Sequence, residues 1–173
     1  MAYPFGNDPA KIEGYRRFWN REAVDRPLVG FSLKTWFPMH EFAASRAWRD
    51  HYWLTVDMIH PPDFVEDQER LLREGETIED DIIRGACPSQ AVMWLPPLLG
   101  APLRILEEST LAPDLDLSWE ELDHLYLDPN HPWLAKYLDF VRVLVEASGG
   151  RYPVSHGTMS GPSDLAAIFR GHG

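Results

Sequence analysis

Cysteine is almost missing from this chain. The one present, Cys87, cannot close an internal disulfide or build a thiolate metal cage alone, and a reducing cytoplasm is expected. Basic clusters are missing too: 27 acidic residues stand against 16 basic ones, a formal charge of −11. That balance argues against nucleic acid and anionic membrane as partners. No apolar run reaches the roughly 18 residues of a membrane-spanning helix, and Met1 to Asp8 holds no basic segment followed by an apolar one. Export and insertion are both disfavoured. Repeats and low-complexity tracts are absent, and 15 Pro and 12 Gly scattered without a period indicate loop-rich architecture rather than fibre or linker.

What remains is a globular composition. With 173 residues, 45% of them hydrophobic, the chain can bury a core of one domain or part of one. Asp8-Pro9 predicts a helix start, since Asp accepts free amide hydrogens and Pro fits the first turn. The helix runs to about Glu22, with Ile12, Tyr15, Phe18 and Trp19 as an apolar face expected to pack flat on a larger body. Leu28 to Leu33 reads as a buried strand, 41–52 as a helix, and Asp63 to Glu74 as another helix ended by Gly75. The stretch from Glu74 to Asp81 reads as a solvated helix end or loop rather than a metal site. Ile82 to Cys87 is the next strand, and a hairpin-like excursion is expected through Leu103 to Leu106.

Ser118 with Glu121 forms a reciprocal helix cap. A longer helix from Pro132 to Ala147 stops at Gly149-Gly150, Tyr152 to Gly157 is a third strand, and Pro162-Ser163-Asp164 opens a last helix. Strands alternating with helices argue an α/β class with a parallel sheet and right-handed crossovers.

Two stretches carry a resemblance. Leu98-Leu99-Gly100-Ala101-Pro102-Leu103 follows the second strand, and Ser160-Gly161-Pro162-Ser163-Asp164-Leu165-Ala166 follows the third. Both resemble the uroporphyrinogen decarboxylase superfamily, whose third strand delivers a Gly-x-Pro-x-x-Leu-Ala turn into a helix. The resemblance covers Arg26-Pro27 to Gly171. It implies a partial TIM (β/α)8 barrel, about the first three β/α units, spanning 26–173 behind a helical extension at 1–25. A whole barrel takes on the order of 250 residues, so the resemblance implies a truncated or split piece.

Decarboxylases of that superfamily carry a Met-Arg-Gln-Ala-Gly-Arg-Tyr run after the first strand, whose arginines grip substrate carboxylates. Here Phe31-Ser-Leu-Lys-Thr-Trp-Phe37 stands there, and Lys34 does not reproduce a guanidinium fork. The family's catalytic aspartate aligns with Ala91, and its tyrosine in the helix after the third strand with Ile168. Decarboxylation is therefore disfavoured. The other branch resembles corrinoid-dependent methyltransferases, whose zinc activates a thiol. The zinc ligands belong to the C-terminal half of the family pattern, so the resemblance assigns no cofactor to this chain. It implies a corrinoid or other small molecule as substrate or partner.

Barrel enzymes work at the C-terminal ends of their strands. That rule selects Ser32, Lys34 and Trp36 after the first strand, Ser89 and Gln90 after the second, and His156, Thr158 and Ser160 after the third. His156 is the candidate acid/base, since imidazole titrates near neutrality; a plain structural hydrogen bond is the alternative. Pro162-Ser163-Asp164 with Ser160 reads either as an anion site or as ordinary capping. Cys87 reads as a nucleophile only if Arg84 depresses its pKa, and otherwise as an inert thiol. Trp36, Trp48, Trp53 and Trp94, with Phe37, Phe42 and Tyr52, line a pocket for a flat ligand or pack the core. His40, His51, His60, His124 and His131 show no metal-ligand spacing. Three strands leave two open sheet edges, so a homo-oligomer or a second half-barrel is an expected partner.

Overall fold

The computed structural model describes residues 4–31, 38–89 and 91–171. Local capping sets where its helices start. The Asp8 carboxylate accepts from the N–H groups of Ala10 (2.8 Å) and Lys11 (3.1 Å), and α1 runs over Pro9–Trp19. α2 (Ala43–Arg46), α3 (Val65–Gly75) and the short α4 (Leu95–Leu98) follow. Ser118 Oγ accepts from Glu121 N at 3.2 Å while the Glu121 carboxylate takes Ser118 N at 2.8 Å, which starts α5 (Trp119–Asp123). α6 (Pro132–Ser148) closes on Gly149 with φ 52°, and α7 covers Pro162–Arg170. Among the described residues no helix is long and apolar enough to cross a membrane.

The helix expected over 41–52 is broken into a 3-10 turn Pro38–Glu41, α2 and a second 3-10 turn Ala47–Asp50. Its buried residues Met39, Phe42, Ser45 and Trp48 recur every third position. That period suits the 3-10 geometry, whose i and i+3 side chains eclipse, better than an α-helix. α1 also differs from expectation, because none of its residues is buried. Ile12 and Trp19 are 55% and 76% exposed. Longer-range contacts orient it instead: Lys11 Nζ reaches the Ile82 carbonyl at 3.3 Å and Asp80 at 3.5 Å, and Gly14 sits against Leu28.

The regular sheet is antiparallel, in the order β1 (Trp53–Leu54), β2 (Leu103–Ile105), β3 (Thr110–Leu111). β2 lies in the hairpin expected at Leu103. Register places Leu54 opposite Leu103 on the buried face and Trp53, Arg104 and Leu111 in one row on the other. The fold is thus mixed helix and sheet.

The three expected parallel strands are much reduced. Among the described residues they hold one parallel bridge, Ala86 to Val154, with Ala86 N donating to Pro153 O and Ser155 N donating to Ala86 O, both at 2.9 Å. The first segment adds Asp81 N donating to Val29 O at 2.8 Å; Ser32 and Leu33 lie outside the described residues. Composition explains the shortness. Pro88 and Pro153 have no N–H to give a ladder. The Asp81 and Asp80 side chains take the amides of Val29 (2.8 Å) and Phe31 (3.1 Å) that a partner strand would otherwise engage. The segments still lie side by side in the order 29–31, 80–86, 153–155.

Glycine permits that closeness. A β-carbon on Gly30 would fall 2.4 Å from the Ile82 side chain, one on Gly85 2.4 Å from Pro153 O, and one on Gly157 3.0 Å from Pro88 O. The core beside them centres on Phe64, Trp94 and Phe140, with Phe64 and Phe140 rings 5.0 Å apart and Trp94 and Phe140 6.0 Å apart.

Candidate functional site

The ends of the second and third segments meet at Gly157, whose missing side chain lets Pro88 and the Trp94 ring come within about 3 Å of its β-carbon position. Ser89 and His156 are thereby neighbours of one junction. Ser32, Lys34, Trp36 and Gln90 lie outside the described residues; of the other four expected positions, Ser89 and His156 flank this junction, and Thr158 and Ser160 follow His156 in the chain.

Their environments differ. Ser89 is buried, its Oγ accepting from Ala91 N (3.3 Å) and its carbonyl from Trp94 Nε1 (3.1 Å). It acts here as a scaffold for Trp94. His156 is exposed, and its Nδ1 lies 2.8 Å from the Gly157 carbonyl. A carbonyl only accepts, so Nδ1 carries the proton and the neutral ring keeps its Nε2 lone pair. An imidazole so oriented can take a proton from, or donate to, a ligand above the junction. Thr158 is exposed and Ser160 half-buried on the same loop.

The anion-site reading of the next helix gives way to capping. The cap residue of α7 is Gly161, and its N–H donates to the Asp164 carboxylate at 2.8 Å. A carboxylate of the chain therefore already answers the positive end of this helix. Cys87 is half-buried, and the Arg84 guanidinium is engaged by Asp80 through two 2.9 Å bonds. The aromatic residues divide. Phe42, Trp48 and Trp94 are core, whereas Tyr52 and Trp53 are exposed and stacked edge-on at 4.8 Å. Trp36 and Phe37 lie outside the described residues. Among the described residues no group of three His, Cys, Asp or Glu is placed to hold a metal.

One part of the acidic run expected to be solvated is instead buried. The Asp80 side chain is 0% exposed. It receives both Arg84 nitrogens, the amides of Phe31 and Ile82, and Lys11 at 3.5 Å. Burial would raise its pKa, but the bonds from Arg84 and Phe31 outweigh burial and hold it below the ordinary aspartate range. Asp81 beside it is lowered to about 2 by the hydrogen bond from Arg26 and the amide of Val29. Lys11, Arg26, Asp80 and Asp81, with Val29 and Phe31, border a groove of about 890 Å³. It lies beside the first segment and the start of the second, away from the junction at Gly157. The only sequence signal for the cluster is an Asp pair placed directly before an apolar run.

Comparison with protein-family models, with curated proteins and with solved structures finds no match for this chain.

Proposed function

We propose that this chain is the first part of a uroporphyrinogen-decarboxylase-like barrel enzyme, methyltransferase-like when complete, acting in the cytoplasm on a corrinoid or a methylated small molecule. The observation that carries the reading is the adjacency, in chain order, of three extended segments whose contacts fall at Gly30, Gly85 and Gly157. A parallel (β/α) half-barrel requires such an order. His156, oriented by its own neighbour's carbonyl, is the acid/base of this reading. Thr158 and Ser160 are its substrate contacts, with Ser89 supporting them and Ser32, Lys34, Trp36 and Gln90 completing the set. Zinc would enter with the remaining barrel units. Decarboxylation of a porphyrinogen is the least supported chemistry, because Lys34, Ala91 and Ile168 replace the groups it needs.

The test is a titration of the purified chain with a cobalamin, followed by the corrinoid's absorbance, for the native protein and for His156→Gln. Saturable binding that weakens about fivefold in the variant, the worth of one hydrogen bond, supports the reading. A folded chain that binds no cobalamin, or binds it equally in both forms, overturns it.

A second reading has its own support: a non-catalytic half-barrel that assembles with a copy of itself or with a second half. Val29 and Phe31, flanking the first segment's Gly30, are 44% and 55% exposed, an apolar edge of the kind that proteins normally cover. Light scattering on a folded peak at twice 19.9 kDa favours it, and a monomer at all concentrations rejects self-assembly.

A further inference from the structure

We infer that His131 is a pH-responsive cap which, in its neutral form, holds the start of α6 and so keeps Trp133 against Trp94. The inference stands apart from the proposed function. α6 is the longest helix among the described residues, and its first-turn amide at Trp133 donates to His131 Nδ1 at 3.3 Å. Asn, Asp, Ser and Thr cap helices with an oxygen that keeps its lone pairs across the physiological range. An imidazole does not. Only the neutral ring with its proton on Nε2 can accept at Nδ1, and protonation turns that acceptor into a donor facing another donor. It also places a positive charge at the positive end of the helix dipole. Both effects act in one direction, so acid releases the cap.

Asp128 closes the preceding turn, its carbonyl accepting from His131 N (3.1 Å) and its carboxylate from Asn130 N (2.8 Å). It is the acid nearest in the chain, and Lys136 is the nearest base. Of the segments packed on α6, Leu95–Leu98 carries no charge, Val56–Met58 brings Asp57 and Pro61–Phe64 brings Asp63. Trp133 packs edge-on against Trp94 with ring centres 6.2 Å apart. Trp94 in turn touches Gly157, next to His156. Loosening the first turn of α6 therefore reaches the buried indole beneath the candidate site.

Amide hydrogen exchange and tryptophan emission, recorded from pH 8 to pH 5 for the native chain and for His131→Asn, test the inference. The native chain should lose about fivefold of the protection at the Trp133 amide, the worth of one helix cap, with an accompanying change in emission. His131→Asn, which keeps a cap oxygen at every pH, should show neither change. An equal loss in His131→Asn, or no loss in the native chain, overturns the inference. Because the Asn variant retains a good cap, the comparison holds even if His131→Ala does not fold.

Discussion

The carbonyl oxygen of Pro153 lies 2.4 Å from where Gly85 would carry a β-carbon. That oxygen accepts the amide of Ala86, the next residue. The obstacle is backbone rather than a movable side-chain tip, so Gly85→Ala must push the second and third segments apart. The expected cost is about 1–3 kcal/mol, read as a lower urea midpoint, with faster exchange at the Ala86 and Ser155 amides. Gly100 is a control: with φ 94° and no heavy atom within 4 Å of its β-carbon position, Gly100→Ala should lose stability through backbone strain and leave those two amides unchanged.

Asp80 and Arg84 form a buried pair whose partners are unequal when separated. Asp80→Ala abandons a guanidinium that is only 9% exposed, and about 3–5 kcal/mol of stability should be lost. Replacing both residues with apolar ones, Asp80→Leu with Arg84→Met, should cost less than the single change. Thermal unfolding of the three proteins decides it; a double variant worse than Asp80→Ala would show that Arg84 contributes through its packing and its bond to the Ile82 carbonyl as well as through Asp80.

Acid should act through the same corner. Asp80 and Asp81 both have folded pKa values below those of a free aspartate, Asp81 at about 2. A lowered carboxyl contributes stability that is complete above its unfolded value near 4 and is lost as pH falls through the folded one. Urea midpoints should therefore hold steady down to about pH 4 and decline toward pH 2. Asp81→Asn should make that decline shallower, and an unchanged slope would deny Asp81 its part.

Trp94→Phe removes the indole N–H that satisfies the Ser89 carbonyl. A buried carbonyl left without its donor costs about 1–3 kcal/mol, and the Ala91 amide, bonded to Ser89 Oγ, should exchange faster. The edge-on stack with Tyr137, 5.3 Å between ring centres, survives in kind with phenylalanine, so the loss should fall short of the 3–5 kcal/mol typical of large-to-alanine changes in a core.

The sequence was most readable where the cause of structure is local. Asp8-Pro9, Ser118 with Glu121, and Gly149-Gly150 each determine a helix end within a few residues, and α1, α5 and α6 begin or stop there. Strand pairing was less readable because its partners are distant in the chain. Nothing near Val29 announces that the side chains of Asp80 and Asp81 will take the amides of that segment. The same remoteness misled the wheel of α1: Ile12 and Trp19 look like an inward face until Lys11 is seen to reach Asp80. At the candidate site, the orientation of a side chain was not legible. The strand-end rule of a barrel singles out His156, but the partner of its Nδ1, the carbonyl of Gly157, is not revealed by residue type alone.

The glycines between the segments also bear on heredity. Any single-base change in a glycine codon that alters the residue brings in a β-carbon or a stop. At Gly30 and Gly85 that carbon would arrive 2.4 Å from an existing atom. These codons thus have no silent neighbours among amino-acid replacements, and a library of random variants selected only for folding should return them depleted of every substitution, while the exposed face of α1 drifts.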